Sequence, residues 1–405
     1  MHKSTRNEQS QPLHFAPRDT SYALSHPTRF SRTWFGTALL FFFIAALFGL
    51  AMRYFFYAET PPAIEYRNIL HAHSHVAMLG WGFMLISGAL IFLFPHPRRL
   101  KKHYTEIFIA NTVATVGMSI AFPIQGYAAV SITFSAIHLI AVYYFGILYL
   151  KELKGEKTVS ARFIRLGIVW YFVSSLGLLA LGPISATLGR HSSLYHEAVQ
   201  WFMHFQLNGW FVYTSLGVLF RYMERSGFAP QLGKAALPLL NLSLFLTFAL
   251  SITWSHPLDA LFYLNSLGVI SQTWGFLLIV RPLVRGLNGI HEPRDGIYFF
   301  ILLGILSVLA KAIIQMVVVV PYVAEISYTI RNYVMAFFHL ITLGAMTFTI
   351  GGVLLKQRIL PVNILSKVGW GVLAVGFVST EVILFGQGTL LWMGVGFIPG
   401  YYGII

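Results

Sequence analysis

Three histidines stand within five residues at His71, His73 and His75, heading an apolar run that continues through Phe83 and Ile86 to Phe94. Imidazole can ligate a metal or a haem iron, and it can carry a proton near neutral pH. An apolar stretch of about 20 residues reads as a membrane-spanning helix, where ionisable side chains are costly and mark function. On a helix His71 and His75 are four apart and share a face, whereas His73 points the other way. One helix can therefore serve two neighbouring sites.

Composition sets the frame for that stretch. The 405 residues are 56% hydrophobic and 10% charged, with a mean hydropathy of +0.68, the profile of a polytopic membrane protein rather than a soluble domain. Cysteine is absent, so disulfides, thiolate metal sites and covalent haem attachment are excluded. Any metal must use histidine, methionine, carboxylate or main-chain ligands, and any haem must be held non-covalently. The formal charge of +14 would suit a nucleic-acid partner, but the placement of the cations gives it another cause.

Residues 1–33 are polar and read as a cytoplasmic tail, without the apolar stretch and small-residue site of a cleavable signal. The rest, 34–405, reads as one all-α membrane domain of about twelve spans. The expected spans cover residues 34–57, 70–95, 105–127, 129–150, 162–188, 194–222, 236–254, 257–281, 297–320, 330–355, 363–386 and 388–405. With the tail inside, about 23 of the 28 Lys and Arg fall on the cytoplasmic side, as the positive-inside rule requires. Arg98, Arg99, Lys101, Lys102, Lys151, Lys154 and Lys157 are among them. This topology accounts for the basic charge and puts both termini in the cytoplasm. It also sets His75, His138, His204 and His339 at one depth, roughly 15 Å below the outer surface. His196 and His256 lie shallower on the same side.

Self-similarity is the strongest signal in the chain. His75 is followed by Gly80, Gly88 and Leu90; His204 by Gly209, Gly217 and Leu219; His339 by Gly344, Gly352 and Leu354, at identical offsets. The copies recur about every 130 residues, so the spans group into three four-helix units, near 34–150, 162–281 and 297–405. Glycine at such spacing lets membrane helices approach closely, but packing alone does not call for three histidines.

In these patches the chain resembles subunit I of the haem-copper oxidase superfamily, in its cbb-type oxidase and nitric oxide reductase branch. Val199-Gln-Trp-Phe-Met-His204, leading to Asn208-Gly-Trp-Phe211, is similar to the family's sixth helix. Trp254-Ser-His256-Pro-Leu258 is similar to the stretch bearing further copper ligands, and Phe337-Phe-His339-Leu-Ile-Thr-Leu-Gly344 to the tenth helix. The resemblance implies a low-spin haem b clamped by His339 and by His75, or else His73 or His71. It also implies copper, or a second haem, near His204 and His256, and with His196 these imidazoles could hold a copper or other divalent ion. Electrons from a quinol or a cytochrome would then reach O2 or NO, in a bacterial inner membrane and beside other respiratory subunits. The pattern departs where Phe337 replaces a histidine, where one histidine (His256) stands for an adjacent pair, and where Asn208 stands in place of tyrosine or glutamate.

The remaining candidates fill roles around these centres. Arg67, Arg190 and Arg331 lie near the outer ends, where a haem's propionates would emerge, and guanidinium matches carboxylate geometry. Glu197 adjoins His196, and Lys311 sits within the ninth span, as a proton carrier or a partner for Glu325 or a propionate. Phe83, Trp201, Phe205, Phe337 and Phe338 would wall the haem. Two other classes remain open: a non-catalytic haem- and copper-binding protein like the NnrS family of the nitric oxide response, and a transporter with a three-fold repeat. Lipid is the one certain partner, and nucleic acid is not expected.

Overall fold

The computed structural model describes residues 29–58, 64–94, 101–290 and 295–404, so the polar tail up to residue 28 lies outside the described residues. Every regular element among them is helical. The rods are α1 (Arg29–Tyr54), α2 (Tyr66–Leu93), α3 (Lys101–Gln125), α4 (Ala129–Glu152) and α5 (Val159–Thr187). There follow α6 (193–225), α7 (Ala236–Ile252), α8 (Asp259–Gly289), α9 (Gly296–Val317), α10 (Arg331–Lys356) and α11 (Ile364–Trp392). Nine of these are long and apolar enough to cross a membrane. The two others are α7, which is short, and α6, whose first turns carry His196, Glu197 and Gln200. The chain is a membrane-embedded helical bundle. Polar caps start several rods: Thr158, Ser192, Asp295 and Asn363 each accept a backbone N–H of the first turn.

The expected twelfth span does not form. Residues 388–392 complete α11, after which Gly394, Gly396 and Gly400 take φ of +73°, +102° and +71°. Those angles favour glycine and turn the chain back on itself. Gln387 fastens the turn, donating from Nε2 to Gly396 O at 3.0 Å and accepting from Ile398 N at 2.8 Å. A four-residue helix, Tyr401–Ile404, then docks where Asn332 Nδ2 donates to Tyr401 Oη at 2.7 Å. Residue 404 therefore lies beside the start of α10, at the end of the bundle opposite Arg29. The two ends of the described chain do not share the basic side.

The repeat seen in the sequence has a common geometry. In each unit the α-helix runs up to the repeated histidine and then passes into a π-helical segment: Val76–Gly82, Phe205–Phe211 and Leu340–Phe348. Wider π turns are rare and concentrate at functional positions. Beyond each of them the later glycine meets the helix that precedes it in its unit. Gly88 abuts Trp34 and Phe35 of α1, Gly217 abuts Ile164 of α5, and Gly352 abuts Ile301 of α9.

The second helix of each unit faces inward. Some 89% of the most apolar stretch of α2 and 78% of that of α10 is enclosed, against 22–44% in the other long apolar rods. Phe211 of α6 packs on Gly82 of α2, and Trp81 Nε1 of α2 donates to Thr347 Oγ1 of α10 at 3.2 Å. Thus α2, α6 and α10 form the centre, and the repeated histidines sit at one level of it.

Two measurements test this frame. A Cβ on Gly352 would lie 2.7 Å from Ile301 Cγ1 and 2.9 Å from Ile301 N, so Gly352→Ala should cost about 1–3 kcal/mol in detergent unfolding. Gly376→Ala, with open space around it, should leave stability unchanged. At the basic end Lys356 Nζ lies 3.0 Å from Asp295 Oδ1. Burial pushes the Asp295 carboxyl up, but the Lys356 bond and charge and two backbone N–H bonds hold it below its ordinary value. Its contribution is present above the unfolded-state value and is lost as pH falls through the lower folded one. Asp295→Asn should remove that acid-side loss, a difference below about 1 kcal/mol because the pair is partly exposed.

Candidate functional site

The histidine cluster of α2 splits across the helix. His73 Nδ1–H donates to Ala45 O of α1 at 2.8 Å, and its ring lies 3.2 Å from where a Cβ on Gly49 would stand. A carbonyl can only accept, so this bond places the proton on Nδ1 and leaves the Nε2 lone pair free. That is the posture of a histidine whose free nitrogen is aimed for ligation by a main-chain carbonyl behind it. His339 of α10 lies close enough to His73 for a charge on one to be felt by the other, and Arg53 of α1 neighbours both. His339 Nδ1 is buried and has no hydrogen-bond partner.

His71 and His75 occupy the other face. His75 Nδ1–H donates to His71 O at 2.9 Å, and Tyr127 Oη donates to His75 Nε2 at 3.1 Å. The His75 ring lies 4.2 Å from Phe122 of α3, and the His71 ring 4.5 Å from Tyr127. His138 of α4 is an electrostatic neighbour of His75; its Nδ1 is 2.5 Å from Asn111 Oδ1 and its Nε2 3.5 Å from Tyr171 Oη. The imidazole of α2 that is an electrostatic neighbour of His339 is therefore His73. The first expectation, His75, is turned toward α3 and α4 and its Nε2 is already engaged.

The residues assigned to a copper-like centre do not converge. Among the described residues no three His, Cys, Asp or Glu side chains form a metal-holding group. His204 Nε2–H donates to Leu244 O of α7 at 2.9 Å. The His256 side chain is 53% exposed and pairs with Glu197 at 3.1 Å, while His196 packs edge-on against Trp254. Lys311 is buried, neighbours His204 electrostatically, and donates to Gln272 Oε1 of α8 at 3.0 Å rather than to Glu325.

The arginines also sort by face. Arg67 neighbours His71 and Tyr127, and Arg331 donates to Tyr66 Oη and covers its ring. Arg190 donates to Ser185 Oγ at the surface, 3.3 Å away. Of the aromatic wall, Phe83 meets His138, Trp201 and Phe205 enclose the His204 side, and Phe337 and Phe338 are half-buried on α10. No family model and no curated protein matches this chain.

Sequence reasoning passed over Arg53, Tyr127, Gln272 and Glu381. Arg53 was visible as the one cation closing the apolar α1. Tyr127 follows Gly126, whose φ of +58° folds the chain back over Asn68 of α2; only the Gln-Gly pair hinted at that turn. Glu381 is buried in α11 with both carboxyl oxygens unpartnered.

The Lys311–Gln272 contact supports a double-mutant cycle. Gln272→Leu should cost about 1–3 kcal/mol by stripping the buried Lys311 Nζ of its hydrogen bond. Lys311→Met combined with Gln272→Leu should recover most of that, because two apolar partners leave nothing unsatisfied. Additive losses in thermal unfolding would show that the two side chains are not coupled.

Proposed function

We propose that this protein is a membrane haem b protein on a scaffold resembling subunit I of the haem-copper oxidases, with the haem gripped by His73 and His339 between α2 and α10. The reading rests on one observation: His73 is fixed through Nδ1 to the Ala45 carbonyl, and it is an electrostatic neighbour of His339, whose buried Nδ1 has no partner. When bound, haem b supplies one-electron chemistry. The protein's own groups do the rest. Ala45 O sets the tautomer and angle of His73, Gly49 leaves room for its ring, and Arg53, the neighbour of both histidines, supplies a guanidinium for a carboxylate. The enclosed centre around α2 and α10 excludes water and so tunes the potential.

The inner position of α2, α6 and α10, each bearing its histidine at matched depth, supports the same scaffold. Passage of electrons from a quinol or cytochrome to O2 or NO belongs to this proposal as the resemblance implies it. The dispersal of His196, His204 and His256 favours a second reading. In it the haem serves binding or electron relay without reduction of a gas, as in a non-catalytic nitric oxide response protein.

Reduced-minus-oxidised spectra of the purified protein test the reading. A b-type signal is expected in the wild type, lost in His73→Ala and His339→Ala and kept in His75→Ala. A wild type without that signal would end the proposal. Loss in His75→Ala with retention in His73→Ala would return the ligand to the opposite face. Turnover with O2 or NO separates the two readings.

A further inference from the structure

The face of α2 that turns away from His339 carries its own constellation. His71 and His75, one helical turn apart, put their rings 6.5 Å from each other, and Tyr127 lies against both. His75 has its Nδ1 proton committed to the His71 carbonyl, so Nε2 holds a lone pair directed at Tyr127 Oη, 3.1 Å away. His71 Nε2 is buried and bonds to nothing. Phe122 floors the cluster, and Tyr127, 37% exposed, opens it to the surface about three turns or less from the end of α2.

We propose that His71 Nε2, His75 Nε2 and Tyr127 Oη form a binding site for one divalent transition-metal ion of the Zn2+ or Cu2+ class. Two histidines at i and i+4 on one helix present both nitrogens to a single ion, and imidazole suits Zn and Cu. The ring separation is compatible with Zn–N bonds of about 2.0–2.1 Å after a small rotamer adjustment. The bond from His75 to the His71 carbonyl fixes the ring of a ligating imidazole from behind. The ion takes the place of the phenolic proton between Tyr127 and His75. That proton leaves to water past the exposed edge of Tyr127, and water completes the coordination. Arg67, the cation beside His71 and Tyr127, opposes the bound charge and weakens the site. Neither His73 nor His339 takes part, so this site and the haem proposal fail independently.

Titration calorimetry with Zn2+ on the full-length protein in detergent tests this, with ion-induced thermal stabilisation as a second readout. One high-affinity site is expected. His71→Ala should weaken it at least tenfold, and should abolish the ion-induced thermal stabilisation measured against the variant's own ion-free melting temperature. His75→Ala should do the same to affinity. Tyr127→Phe should weaken binding several-fold and abolish the proton release detected by repeating the titration in buffers of different ionisation enthalpy. Arg67→Gln should tighten it. His73→Ala should lose the haem spectrum but keep the Zn2+ isotherm. Absence of wild-type binding, an unchanged isotherm in His71→Ala, or loss in His256→Ala instead would overturn the proposal.

Discussion

An imidazole held in an apolar helix has to satisfy a nitrogen that always carries a proton, and this demand orders the centre of the bundle. His73 meets it through Ala45 O, His75 through His71 O, His204 through Leu244 O and His138 through Asn111 Oδ1. A buried N–H without an acceptor costs about 1–3 kcal/mol, comparable to the loss of a core methyl group or two. Each bond chooses a tautomer, and the tautomer decides which nitrogen stays open. On α2 the choice leaves the Nε2 lone pair of His73 open and points that of His75 at Tyr127 Oη on the opposite face. Helical periodicity puts the rings on opposite faces, and the two carbonyls decide which nitrogen each leaves open.

Those carbonyls lie within reach because the helices sit close together. Gly80, Gly209 and Gly344 meet Thr115, Trp170 and Ser307 at distances no side chain would allow, and the later glycines repeat this against α1, α5 and α9. Between the histidine and the later glycine each inner helix passes through its π segment. The wider turn rotates the later half of the helix relative to the earlier half, so the imidazole and the second glycine need not share a face. Trp81 reaches Thr347 across this region, and Thr347 Oγ1 itself donates back to Thr342 O, five residues earlier. Membrane helices lack a hydrophobic drive to associate, and this close van der Waals fit with a few interhelical hydrogen bonds takes its place.

Much of this was legible in the chain. Each of the first eleven expected segments coincided with an observed rod, bounded by basic clusters and capping residues such as Thr158 and Asn363, though α8 runs on to Gly289 and α11 to Trp392, eight and six residues past the expected ends. The twelfth did not, because residues 388–405 are apolar enough to mimic a span. Only Gly394, Gly396 and Pro399-Gly400 betrayed the turn, and glycine is too frequent here to weigh heavily. Matched depth of the histidines came from counting residues along helices. Their facing did not. Periodicity separates His73 from His71 and His75, yet which face meets α10 depends on where α1 and α3 pack. No residue of α2 reports that. The copper-like set was drawn from chain patches, and patches do not reveal that His204 would turn to a main-chain oxygen of α7.

The three copies share their packing and differ in how their histidines are hydrogen-bonded. His75 is tied to its own helix, and His204 is tied to a neighbouring one. His339 is tied to nothing through Nδ1, although it occupies the same place at the head of a π segment. If the repeated histidine existed only to lock inner helices together, the third copy would be expected to carry such a bond as well. An unsatisfied imidazole at the most enclosed level of a membrane bundle is costly to keep. The cost would be offset where an acceptor for its lone pair is supplied from outside the chain, and an iron shared with His73 is the acceptor that the haem proposal supplies.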